Sequence, residues 1–204
     1  VATSNQPINL LATVFSRYDV EPGDRIFVDT GYYTNVLVNT EMGRPDSGMS
    51  GTVVQVLGST NFVGGFSVID RQLTGVRSYA LKMDAAQWLA VSNLVLRGAD
   101  RGVFMTNSAN VALSVRAVAN ASNGFEMLYS SGIRLSRCVA SDNARLGVYG
   151  EGISDVQILN SVIWSNGIGG VCLNGGILGV SNSVLAVSGA GSLLFETVQT
   201  NDVL

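Results

Sequence analysis

A chain of 204 residues, 47% hydrophobic and only 13% charged, can bury a substantial core, which excludes a disordered tail. A net charge of -3 without any lysine or arginine run disfavours phosphate backbones and anionic membrane surfaces, so neither nucleic acid nor membrane is expected as a partner. Histidine is absent, which removes serine-histidine and cysteine-histidine catalysis and the commonest metal ligand, leaving carboxylate, arginine, lysine or tyrosine chemistry.

The opening residues VATSNQP are polar, and Val1 stands where an initiator methionine would be. They read as the start of an exported, processed chain, and the whole as part of a longer protein. Ile8, Leu11, Phe15 and Tyr18 follow at helical spacing, with Asn5 placed to cap the start and Pro22-Gly23 to stop continuation. The spacing predicts a short amphipathic helix within a cap spanning residues 1–24. Laid over the open end of a strand stack, it covers unpaired edges. A first strand region runs from Ile26 to Val38, and the polar stretch 39–51 separates it from the next strand, Thr52 to Leu57. That stretch reads either as a functional lip or as slack, within irregular first turns over 25–86.

From residue 87 onward the chain repeats. Polar bends begin at Gly98, Asn120, Asn143, Asn166 and Ser188, in steps of 22, 23, 23 and 22 residues. After each bend come two apolar residues with one position between them: Val103 and Met105, Phe125 and Met127, Val148 and Gly150, Val171 and Leu173, Leu193 and Phe195. Similar pairs stand about ten residues before each bend: Leu89 and Val91, Val111 and Leu113, Ile133 and Leu135, Val156 and Ile158, Leu178 and Val180. A third column, four residues further on, collects Val95, Ala117, Val139, Val162 and Val184. Alternation of this kind is half-buried strand, and no helix-length segment intervenes. Three short strands per turn bury their faces only against the turns above and below, so an all-β coil of parallel strands is predicted as one domain over 1–204, with regular rungs over 87–204.

Two residues past the second set of pairs stand Asn93, Val115, Arg137, Asn160 and Asn182. Asparagine tolerates left-handed backbone and its amide can bond to an equivalent one rung away, so a partial asparagine ladder is expected at that corner. Cys138 and Cys172 lack paired spacing and suggest neither disulfide nor metal site. Trp88 and Trp164 are expected to pack at corners, and the sequon Asn120-Ala121-Ser122 reads as a chance match in a turn. The last strand-like stretch, SLLFETVQTNDVL, lacks charge or proline blunting, so flanking polypeptide or another chain is expected to cover that edge.

These rungs resemble the right-handed parallel β-helix of the pectate-lyase-like superfamily, including the right-handed β-helix repeat regions of secreted bacterial proteins. The segment INLLATVFSRYDVEPGDRIFVDTGYYTNVLV is similar to the entry segment of such domains, in which a short helix precedes a proline-glycine-aspartate turn and a first strand. The resemblance implies an extracellular or cell-surface location. It also implies a site on the outer face of the strand after the long bend. Carried over position by position, that face presents Phe104, Glu126, Tyr149, Cys172 and Leu194, flanked by Asp100, Arg101, Asn123, Asp142 and Arg145. Phe104, Tyr149, Glu126, Asp100 and Asn123 would then bind ligand. Glu126 would orient sugar hydroxyls or hold a cation such as calcium, and Arg101 or Arg145 would neutralise a carboxylate or remove a proton, with Asp142 beside them.

Against catalysis stands the composition of that face: Glu126 is its one carboxylate, whereas glycoside hydrolysis takes a pair. No cofactor and no metal site is read from the spacing. The expected function is a non-catalytic extracellular β-helix module, structural or carbohydrate-binding, inside a larger secreted or surface protein. The competing expectation is a polysaccharide lyase, epimerase or hydrolase acting on an acidic glycan through an atypical site.

Overall fold

The computed structural model describes residues 10–34, 38–60, 65–72, 75–186, 189 and 191–195. The coil is present, and its registers are those of the repeat. Leu89 pairs with Val111, Ile133 with Val156, and Val156 with Leu178, always in parallel. Stacking like on like at roughly 4.8 Å per rung makes each apolar pair part of a continuous interior file. The result is an all-β, right-handed parallel β-helix with one short helix near its start.

The first face is a 7-stranded sheet. In stacking order it contains Glu41–Met42, Tyr79–Asp84, Arg101–Thr106, Phe125–Leu128, Leu146–Glu151, Gly169–Asn174 and Gly191–Phe195. The second and third faces share a 12-stranded sheet and meet at a one-residue corner. The second runs through Arg25–Val28, Val54–Gly58, the first half of Gln87–Arg97, the first half of Ala109–Val118, Ile133–Ser136, Asp155–Leu159 and Ile177–Ser181. The third runs through Gly31–Thr34, Ser67–Asp70, the second halves of those two long strands, Val139–Ser141, Val162–Trp164 and Val184–Ala186. Val103, Met105, Phe125, Met127, Val148, Val171 and Leu173 fill the interior behind the first face, opposite Leu89, Val91, Leu113, Ile133, Leu135, Val156 and Ile158.

Apart from Ala117, which faces inward as expected, the third apolar column is displaced by one residue from its expected place. The inward file is Leu96, Ala117, Ala140, Ile163 and Leu185, while Val139, Val162 and Val184 form an outward file with Val95 and Arg116. The reason lies at the corner. Asn93, Arg137, Asn160 and Asn182 turn it in left-handed backbone, whereas the rung containing Val115 passes straight through one residue shorter. A one-residue slip exchanges inside for outside.

The side chains of Asn93 and Asn160 are exposed, and among the described residues no hydrogen bond joins the amides of Asn93, Asn160 and Asn182. The stacked amides lie instead at the polar bends. Asn120 Nδ2 donates to Asn143 Oδ1 at 2.9 Å, and Asn143 Nδ2 donates to Asn166 Oδ1 at 2.9 Å. Each also donates to a carbonyl of the preceding third-face strand, at Leu96, Ala117 and Ala140 respectively. All three are almost fully buried, so this is interior polar structure. Room for it comes from glycine: a Cβ on Gly102, Gly124 or Gly147 would lie 2.7–2.8 Å from Asn120, Asn143 or Asn166 Nδ2, closer than real Cβ atoms come. Asn120 is thus committed to the interior, which removes the sequon as a surface acceptor. Ser108 and Ser130 close another corner similarly, each Oγ accepting the backbone N–H of the residue one rung before it, and Ser161 and Ser183 close a third.

At the entry, the helix is Leu11–Arg17, with Leu11 buried in the core and Val14 and Phe15 packed against it. Asn5 and Ile8 lie outside the described residues, and Tyr18 has already left the helix in extended backbone, 40% exposed. The stretch 39–51 is neither lip nor slack. Glu41–Met42 is the first strand of the first face, in register with Lys82 and Met83, and Met42 is 1% exposed. A single 3-10 turn, Arg44–Asp46, follows, held by Asp46 Oδ2 accepting the Gly43 N–H at 2.8 Å. Trp164 departs from its expected corner packing and is 46% exposed. The C-terminal side chains from Gly191 onward lie outside the described set, so the expectations on Leu193, Leu194, Phe195 and the final edge rest there.

Candidate functional site

The first face aligns its outward side chains in two files because strand period and rung repeat are both satisfied. One file runs Glu41, Lys82, Phe104, Glu126, Tyr149, Cys172, and beside it lie Asp84, Thr106, Leu128, Glu151 and Asn174. Glu126 therefore sits one rung from Phe104 on one side and one rung from Tyr149 on the other. Although it points outward, it is only 6% exposed.

Burying a carboxylate requires compensation, and two residues from neighbouring bends supply it. Arg101 Nε donates to Glu126 Oε2 at 2.6 Å, and Asn123 Nδ2 donates to the same oxygen at 2.6 Å. Arg101 Nη1 donates to Asp100 Oδ2, also at 2.6 Å. Each partner is itself held in place. Asp100 Oδ2 accepts the Arg77 N–H at 2.9 Å, and Asn123 Oδ1 accepts the Leu146 N–H at 3.1 Å. The guanidinium lies 5.6 Å from the Phe104 ring centroid and 5.8 Å from that of Tyr79, and those two rings are stacked with centroids 4.8 Å apart. Burial pushes the Arg101 pKa down, but the hydrogen bond and charge of Glu126, with Asp100 and Tyr79, outweigh it and leave it raised.

Asp100, Arg101, Asn123 and Glu126 thus converge, with Phe104 and Tyr149 on either side. Asp142 and Arg145 do not join them: both are exposed and form no side-chain hydrogen bond or ion pair among the described residues. Tyr149 donates its hydroxyl to Glu151 Oε2 at 2.9 Å, and burial together with Glu151 and the charges of Cys172 and Glu126 pushes its pKa up to about 12. It remains a phenol at neutral pH. Tyr79, Lys82, Glu41 and Glu151 are the residues that sequence reasoning missed. Lys82 Nζ reaches Glu41 Oε2 at 3.2 Å, across a separation of 41 residues that falls outside the repeat. Glu151 was within reach, two positions beyond Tyr149 on the same face.

Asp100 and Glu126 are bound to one guanidinium, each through a single oxygen, and the arginine between them is held as a cation. Calcium does not suit the set: it takes six to eight oxygen ligands, whereas Glu126 Oε2 faces N–H donors and no group of three acidic, histidine or cysteine side chains gathers among the described residues. Cys172 is partly exposed, and Cys138 is buried on the corner between second and third faces, where desolvation pushes its thiol up to about 12. No helix among the described residues is long and apolar enough to cross a membrane.

Comparison with known proteins agrees with the architecture. Among solved structures, the pectate lyase Pel9A matches with a TM-score of 0.59 at 17% identity, over 89% of this chain and 58% of its own length. An alginate lyase from Paenibacillus sp. str. FPU-7 matches with a TM-score of 0.54 at 16% identity, over 82% of this chain and 72% of its own. The chain spans little more than half the length of the first of these, and identities so low speak of fold alone. No curated protein matches in sequence. The family model described as "Right handed beta helix region" covers residues 49–201, well over half of the chain, and with the solenoid above it places this chain in the right-handed β-helix family.

Proposed function

We propose that the chain is a non-catalytic, carbohydrate-binding β-helix module of a larger extracellular or cell-surface protein, with the first face as its glycan surface. The observation that carries this reading is the closure of the Asp100–Arg101–Glu126–Asn123 network. Arg101 is committed to Glu126 Oε2 and Asp100 Oδ2, while Phe104 and Tyr149 stand two rungs apart, about 9 to 10 Å, a spacing suited to stacking against successive sugar rings. Polysaccharide is the expected partner, and flanking polypeptide or another chain is expected at the last rung. The fold shared with a pectate lyase and an alginate lyase supports a glycan as ligand.

A glycan array carrying acidic and neutral polysaccharides, probed with the wild-type chain and with a Phe104→Ala/Tyr149→Ala variant, tests the reading. Binding that the double variant loses supports it. Equal signals from the two proteins, or none from either, overturn it. The competing lyase, epimerase or hydrolase reading draws on those same fold relatives and requires instead that the polysaccharide emerge shortened or altered.

A further inference from the structure

On the side of the solenoid where the second and third faces meet, the one-residue corner leaves a groove of about 510 Å³. Its floor and walls come from Ser92, Asn93, Val95, Ser114 and Val139, with Phe66 at its edge, and two arginines, Arg116 and Arg137, stand in it. Among the described residues no aspartate or glutamate lines it. That is a local reversal in a chain whose acidic residues outnumber its basic ones by 15 to 12.

The two arginines are set by the register. Arg116 pairs with Val139 of the next rung, and Arg137 lies two residues before Val139, so their backbones sit on adjacent rungs. Arg116 is oriented by the Phe66 ring, with Cζ 5.3 Å from the centroid. Arg137 is thrown outward by its left-handed corner backbone. Among the described residues Arg116 and Arg137 form no ion pair, unlike Arg97 and Arg101, which are held by Asp70 and by Asp100 and Glu126. A pair of uncompensated guanidiniums beside two serine hydroxyls, an asparagine amide and an apolar floor matches a ring that carries hydroxyls on its edge, C–H groups on its face and a carboxylate.

We infer that this corner groove is a second binding site, taking a carboxylate-bearing saccharide through Arg116 and Arg137. It is independent of the first face, sharing no residue with it, and stands or falls separately.

The test is calorimetric titration of the wild-type chain with an oligogalacturonate, with its fully methyl-esterified form, and with sodium sulfate as a bare anion. Each titration is repeated with Arg116→Gln/Arg137→Gln and with Phe104→Ala/Tyr149→Ala. The groove is expected to bind the acidic oligomer about tenfold or more tightly than the ester, since charge-assisted hydrogen bonds are lost with the charge. The arginine variant is expected to lose that preference while the aromatic variant keeps it. Unchanged affinity in the arginine variant overturns the inference, as does equal binding of acid and ester, absence of binding, or sulfate competing as strongly as the oligomer. Loss in the aromatic variant alone overturns it while leaving the first-face reading intact. Thermal unfolding of both variants within a degree or so of wild type excludes misfolding as the cause of a loss; a lower value calls for Arg116→Lys/Arg137→Lys, in which partial binding is expected and none would count against the groove.

Discussion

Asn143 accepts from Asn120 and donates to Asn166, so its amide joins three successive rungs inside the solenoid while also binding the Ala117 carbonyl at 3.1 Å. Asn143→Ala removes the acceptor of the Asn120 backbone N–H, one of the two acceptors of Asn120 Nδ2 and the side-chain donor to the Ala117 carbonyl, all in a dry interior. Each orphaned buried group costs roughly 1–3 kcal/mol, partly relieved by relaxation, so a loss of about 2–4 kcal/mol is expected in urea unfolding. A change below about 0.5 kcal/mol would show that the file is solvated.

Leu135 and Ile158 pair in register and are essentially inaccessible. Either one replaced by alanine removes transferred apolar surface and leaves a cavity, for an expected cost of about 2–5 kcal/mol. The control is Val162→Ala, on the outward file revealed by the displaced corner, which is expected to cost well under 1 kcal/mol. Equal costs at Ile158 and Val162 would contradict the observed register.

The Arg101–Glu126 pair is neither fully buried nor exposed, with side-chain exposures of 23% and 7%. Its coupling should lie between a surface pair and a buried one, on the order of 2 kcal/mol in a double-mutant cycle of Arg101→Ala and Glu126→Ala. Arg101→Ala alone should cost more than the double variant, because it strands the carboxylate of Glu126. Additive single effects would mean that the two side chains do not meet.

Cys138 adds a pH dependence with a definite sign. Its thiol is held neutral in the fold up to about 12, against 9.0 when unperturbed. Its share of stability is complete below pH 9 and is lost as pH climbs from 9 toward 12, because only the unfolded chain releases the proton there. The slope it contributes approaches about -1.4 kcal/mol per pH unit. Comparing the alkaline stability of wild type with Cys138→Ala isolates it. Identical slopes would refute the burial of the thiol, as would rapid labelling of Cys138 by a thiol reagent in the native state at neutral pH.

Much of this was readable beforehand for a physical reason: strand alternation and rung period together assign inside and outside for most residues after 87. The positions facing Glu126 followed from that alone. The asparagine file was passed over because Asn120, Asn143 and Asn166 occupy polar bends, where a solvated turn and a buried amide look the same in one sequence. The available signal was a glycine one rung before each of them, at Gly102, Gly124 and Gly147, since it makes room for the amide. The third column misled because Asn93, Arg137, Asn160 and Asn182 each add a left-handed residue at the corner, so the fixed offset finds the inward residue only in the Val115 rung, at Ala117, and the slip is invisible until hydrogen bonds are counted. Glu41 was out of reach because 41 residues separate it from Lys82, whereas Tyr79 and Lys82 stand 22 residues before Arg101 and Phe104 and follow from running the repeat one rung further back.

The most direct measurement of the proposed role follows an acidic oligosaccharide of defined length through incubation with the chain, recording binding by calorimetry and the recovered sugar by mass spectrometry. Saturable binding with the oligosaccharide returned at its original mass and, by proton NMR, in its original configuration is expected. Recovery of shortened or unsaturated fragments, abolished by Glu126→Gln or Arg101→Ala in a folded variant, would contradict a non-catalytic module.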